Sequence, residues 1–135
     1  MYSKKYGKLR KRLRAYRLIK KELIARTEHM EGFRKILLDP LPNTEERLRT
    51  IYSEIISSMQ EEAANLLKTL NGIDKALERL EGRERSVIYF RYIEGIDWIN
   101  MPEYMNYEQR TCQNIETAAL DKIMKMNIDW GEKDD

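Results

Sequence analysis

The chain has 135 residues, 41% of them hydrophobic and 36% charged, which suits one folding unit with a core and a heavily charged surface. Three prolines and six glycines among abundant Leu, Glu, Lys, Arg, Ile and Met favour helices, and the absence of any run of about 18 apolar residues excludes a membrane span. One cysteine, Cys112, excludes an intramolecular disulfide, and the basic start has no apolar signal-peptide core behind it, so a cytoplasmic protein is expected.

The net charge of +2 conceals a strong segregation. Residues 1–21 carry ten Lys or Arg and no acid, while the other 114 residues carry 15 basic and 23 acidic groups, a net of −8. Such a basic arm repels itself unless a polyanion or an acidic partner neutralises it.

In chain order, the spacing predicts a first helix from about Lys4 to Leu38. Its stripe is Leu9, Leu13, Tyr16, Ile19, Leu23, Met30, Phe33 and Leu37, interrupted at Thr27. "LDPLPN" stops it, because its two prolines remove amide donors and push the preceding residues out of helical geometry. Asn43, with Glu46 three residues later, forms a capping box for a second helix. That helix carries a near-heptad stripe of Leu48, Tyr52, Ile55, Met59, Ala63, Leu66, Leu70, Ile73, Leu77 and Leu80 over about 55 Å. Two long helices alone cannot bury both stripes, so cover is expected from the C-terminal part or from another copy of the chain.

Gly82 breaks the pattern, and three shorter helices follow, over about 83–93, 97–105 and 108–126. Gly95 is expected to cap the first of these, Pro102 to need a turn or cap before it, and Asn106 to make a tight left-handed turn. "NIDWGEKDD" reads as a frayed acidic tail. The expected architecture is therefore all-α: residues 1–81 form a long helical hairpin with a basic arm, 82–126 a three-helix module, and 127–135 a tail.

Two short helices joined by a tight turn, the second longer and polar on one side, are the parts of a helix-turn-helix. On the last helix Cys112, Ile115, Ala119, Leu120 and Ile123 share an inward face, against which Trp98 and Met101 would pack the preceding helix. Arg110, Gln113, Asn114, Thr117 and Asp121 point the other way, with Gln109 on the flank. Arg can fork onto a guanine edge, and Gln or Asn can bind an adenine edge bidentately.

The stretch "ERSVIYFRYIEGIDWINMPEYMNYEQRTCQNIETAALDKI" resembles region 4 of bacterial sigma factors over about 40 of 135 residues. The likeness runs from Arg85-Ser86-Val87-Ile88 through Gly95 and Trp98 to Gln113-Asn114-Ile115-Glu116 and Ala119-Leu120-Asp121-Lys122-Ile123. A long helical half before such a module is similar to the ArpU/RinA-type late-gene regulators of Gram-positive bacteriophages. The resemblance implies double-stranded DNA as partner and assigns base contact to Gln109, Arg110, Gln113 and Asn114; Thr117 continues their face. Pro102 stands where the pattern has Ala, Asn106 where it has Gly, and Glu108 where it has a Ser or Thr cap. Residues 83–126 hold six basic and seven acidic groups, so this module alone should bind DNA weakly. Phosphate contacts are expected from Lys4, Lys5, Lys8, Arg10, Lys11, Arg12 and Arg14 of the arm, and from Arg83, Arg85 and Lys122.

Catalysis finds little support. His29 is the only histidine and lacks neighbours at metal-ligand spacing, while Cys112 has no accompanying base and sits at an inward position. Glu45, Glu46, Glu54, Glu61 and Glu62 lack the spacing of bundle metal sites, and no phosphate loop or nucleophile motif occurs. The expectation is a non-enzymatic, sequence-specific transcription regulator without cofactor or small-molecule substrate, forming a homo-oligomer, most simply a dimer, with RNA polymerase as a further partner. The alternatives are a DNA-packaging subunit of small-terminase type and an adaptor for RNA polymerase or an anti-sigma protein.

Overall fold

The computed structural model describes residues 4–38 and 46–130, which are mostly helical with no strand among them. Lys4 is described in its backbone only. The Asn43 cap, both prolines of the break and Glu45 lie outside the described residues.

The basic segment opens with a 3-10 turn, Lys4–Tyr6, and continues as α1 (Gly7–Arg14) and α2 (Tyr16–Leu38). The single helix expected from Lys4 to Leu38 is thus divided at Ala15. The Ala15 amide still reaches the Lys11 and Arg12 carbonyls at 3.1 and 3.2 Å, and Ile19 N reaches Ala15 O at 2.8 Å, so the division is a tightened turn rather than a loop. Its reason is packing: α1 buries Leu9, Arg10 and Leu13 against the C-terminal helices, whereas α2 must run along a different neighbour.

That neighbour is α3 (Glu46–Glu78), about 50 Å long. Cross-contacts fix an antiparallel hairpin: Tyr16 Oη donates to Asp74 at 3.0 Å, Arg26 pairs with Glu62, the Phe33 and Tyr52 rings stand 5.6 Å apart, and Arg49 donates to Leu37 O at 2.9 Å. The predicted stripes face each other over part of their length, with Leu9 and Leu13 packed instead on the C-terminal core and Leu48 left exposed. Ala63, Leu70 and Ile73 are buried, and at the interruption by Thr27 the half-buried Arg26 spans to Glu62 instead. Among the described residues, cover from the rest of the chain reaches only the base of this hairpin. Farther out Ile24 (53% exposed), Ile36, Leu48 and Ile51 stay open to solvent.

After α3, Arg85 donates to the carbonyls of Leu77, Glu78 and Leu80 at 2.9–3.1 Å, satisfying the end of the long helix. α4 (Gly82–Ile88) widens into a π turn, Tyr89–Ile93, closed by Ile96 N to Phe90 O at 2.9 Å. Gly95 follows at φ 76°, the left-handed conformation expected of it. A 3-10 turn, Trp98–Asn100, leads into α5 (Met101–Met105), which places Pro102 in a first turn where its missing amide costs nothing. Asn106 turns the chain at φ 61°, and α6 (Gln109–Met124) completes the set.

The core does not divide at residue 82. One buried cluster joins Tyr6, Leu9 and Leu13 to Ile73, Ala76 and Leu80 of the hairpin base and to Ile88, Tyr92, Ala119, Leu120 and Ile123. A second holds Val87, Met101, Cys112 and Ile115 together, with Trp98 and Phe90 packed on it. The start of the tail is not frayed. Residues 127–130 cross α3 at Gly72, Thr69 Oγ1 donates to Trp130 O at 2.8 Å, and Lys68 lies 3.3 Å from Asp129. A Cβ on Gly72 would stand 2.9 Å from Asp129 O and 3.1 Å from the Trp130 ring, so only glycine admits this crossing. Gly72→Val is therefore expected to lower the free energy of unfolding by roughly 1–3 kcal/mol, overpacking outweighing the gain in helix propensity, as read by urea titration followed by circular dichroism.

Candidate nucleic-acid interface

α6 has two chemically distinct faces. Cys112, Ile115, Glu116, Ala119, Leu120 and Ile123 are buried. Gln109, Arg110, Asn114 and Thr117 are exposed and Gln113 is half-exposed. Thr117 Oγ1 donates to Gln113 O at 3.1 Å, and the other four side chains make no hydrogen bond or ion pair among the described residues. Glu108 holds the N-cap position in extended geometry, but its carboxylate accepts no amide of the first turn. Met101 is fully buried beneath α6 and Trp98 packs beside it, its indole 5.2 Å from the Arg91 guanidinium. The residues expected to read bases are thus brought together on one solvent-facing surface.

The back of α6 holds a carboxylate that the apolar pattern passed over. Glu116 is 1% exposed and accepts from Arg10 at 3.0 Å and from the Tyr92 hydroxyl. Its signal was present in the helical wheel: position 116 lies four residues from both Cys112 and Leu120, and an inward carboxylate demands a buried cation. Burial, followed by the bond to Glu116, pushes the Tyr92 phenol well above the usual tyrosine range. A second contact lies nearer the surface. Asp121, expected to face outward with the base readers, instead receives the Tyr6 hydroxyl at 2.5 Å and Lys5 at 3.2 Å. These bonds, Tyr6 first, hold its carboxyl below the usual range.

Several residues assigned to phosphate are therefore committed elsewhere. Arg10 neutralises Glu116, because a cation that is 6% exposed cannot reach a duplex. Lys5 serves Asp121, and Lys122 sits 2.8 Å from the buried Glu84 and 3.8 Å from Glu81. Arg85 caps α3. Arg12 stacks 4.9 Å over Trp130, and Lys8 lines a cleft with it. Lys11, Arg14 and Arg83 are exposed, Arg14 standing 5.6 Å over the Tyr92 ring. The Lys4 side chain lies outside the described residues. The basic segment is thus a docked helix rather than a free arm.

Cys112 is buried, its thiol 3.8 Å from Tyr107 O and pushed up in pKa by desolvation. Among the described residues no group of three or more His, Cys, Asp or Glu is placed to hold a metal ion, and no helix is long and apolar enough to cross a membrane. Comparison with family models, with curated proteins and with solved structures yields no match.

Two outcomes follow from this geometry. Glu116→Leu removes the buried carboxylate that accepts from Arg10 and Tyr92 and should cost roughly 3–5 kcal/mol in a denaturant titration, whereas adding Arg10→Met should restore much of the loss. Asp121 has a lowered pKa when folded, so its contribution is present above the unfolded value of about 4 and drains as pH falls below it. Asp121→Asn should accordingly flatten the acid limb of a stability-versus-pH curve.

Proposed function

We propose that this chain is a sequence-specific DNA-binding regulator of transcription in which α5, the Asn106 turn and α6 act as a helix-turn-helix of the sigma region 4 type. The observation that carries this reading is the outer face of α6. Arg110, Gln113 and Asn114, with Gln109 on the flank, occupy its first two turns, have fork or amide chemistry suited to base edges, and are not spent on intramolecular bonds. A solvated helix that only covered a core would be expected to mix in neutralising pairs, as α2 does with Arg26–Glu22 and Arg34–Glu31. The late-gene regulators of Gram-positive phages are the functional type this arrangement resembles.

The reading includes a dimer. Ile24, Ile36, Leu48 and Ile51 leave the outer hairpin with apolar surface that a second copy would cover, and a two-fold pairing would present two α6 helices to one duplex. Half-sites about one helical turn apart follow from that symmetry.

Selection from a random duplex library at near-physiological salt tests both parts. An enriched motif with an inverted repeat is expected. Arg110→Ala or Gln113→Ala should lose preference at one position, at a cost of about 1–3 kcal/mol per bidentate contact. Binding without an enriched motif would sink the base-reading role.

A further inference from the structure

Besides Lys11, four cations of the basic segment remain outward after the internal pairs are taken out, and these four share one edge of the molecule. Arg14 stands over Tyr92, Arg17 Nη1 donates to Glu94 O at 3.4 Å, and Lys20 and Lys21 line an open cleft of about 390 Å3 with Tyr16, Arg17, Tyr89 and Glu94. The spacing of 14, 17 and 21 keeps them on one stripe across the Ala15 bend. None of Arg17, Lys20 and Lys21 has a carboxylate partner among the described residues. Among the described residues Glu94 is the only acid lining the cleft, and it already accepts from the Tyr89 hydroxyl at 2.7 Å.

The position of this stripe matters more than its charge. Glu94 and Gly95 lead directly into the Trp98–Asn100 turn and α5, so about 14 Å of extended chain at most separates Glu94, which the Arg17 tip touches, from the start of that turn. In a helix-turn-helix the first helix crosses the sugar-phosphate backbone. A strand covers 14 Å in about four base pairs. We infer that Arg17, Lys20 and Lys21 form a phosphate-binding ridge that grips the duplex backbone beside the site read by α6. This rests on the DNA-binding reading above and moves the phosphate contacts from the docked residues Lys5, Arg10, Arg85 and Lys122 to the base of α2. The ridge gives affinity without sequence preference, which the nearly neutral α4–α6 segment lacks.

The test is fluorescence anisotropy of the full chain on two labelled duplexes, the selected motif and a scrambled one, across a salt series. Arg17→Ala/Lys20→Ala/Lys21→Ala should weaken both by the same factor, about tenfold or more at about 150 mM salt, with the log–log salt slope shallower by about 2–3. Glu94→Gln, which removes the one opposing charge in the cleft, should tighten both about twofold or more. A folded triple variant with wild-type affinity and slope overturns the ridge while leaving the α6 reading intact, and so does a loss confined to the selected duplex. A wild-type chain that binds neither duplex overturns both ideas together. If the triple variant loses its helical signal, Glu94→Gln decides alone: tighter binding upholds the ridge and unchanged binding overturns it.

Discussion

The structure hangs on the contact between Arg10 and Glu116. It spans 106 residues, is almost dry, and ties the first helix to the back of the helix whose front carries the polar face. A buried ion pair of this kind adds little net stability, because desolvation offsets most of the attraction. Its effect is on register. An apolar contact tolerates a slip of one helical step, but a guanidinium aimed at one carboxylate, with the Tyr92 hydroxyl on the same oxygen pair, does not. α6 therefore has one rotation about its axis relative to the hairpin, and the orientation of Arg110, Gln113 and Asn114 follows from a charge on their opposite side.

This explains why the basic segment divides its cations. Arg10 looks inward and fastens, Lys5 fastens at the surface, Arg12 covers Trp130, and Arg17, Lys20 and Lys21 look outward. The bend at Ala15 separates the two roles. Before it the helix must follow α6 and after it the helix must follow α3, and the cations beyond the bend are carried past the turn that begins α5. A single charge-rich stretch thus serves both as internal fastening and as exposed surface, which a count of net charge cannot separate.

What could be read from the chain was what is decided locally. Asn106 and Gly95 adopt positive φ where their residue types allow it, Pro102 sits in a first turn, and the stripes of α2 and α3 face each other over part of their length, because each depends on residues within one or two turns. The polar face of α6 was legible for the same reason: 3.6-residue periodicity separates its sides without reference to any other helix. The division at Ala15, the π turn at Tyr89–Ile93 and the crossing at Gly72 were not, since each is imposed by a partner far away in sequence. Glu116 falls between these cases. Its place four residues from Cys112 and Leu120 carried an inward signal that the apolar pattern passed over, and the identity of its cation among ten candidates depends on how α1 docks. That docking also cost the phosphate assignment its most buried members.

The seat of α1 has a consequence for how the molecule comes into being. Together with the turn before it, its partners include Tyr92, Glu116, Asp121 and Trp130, so the helix meets these partners only after α6 has been synthesised. At about 5–20 residues per second, the ribosome leaves α1 without those contacts for roughly 5–20 seconds. The hairpin needs only neighbours in sequence and can pair early, whereas docking of α1 closes a loop of 106 residues between Arg10 and Glu116 and belongs among the last events. Its excess of positive charge is an advantage during that interval: a helix with two buried leucines but a strongly cationic surface is kept apart from other nascent copies until its carboxylates arrive.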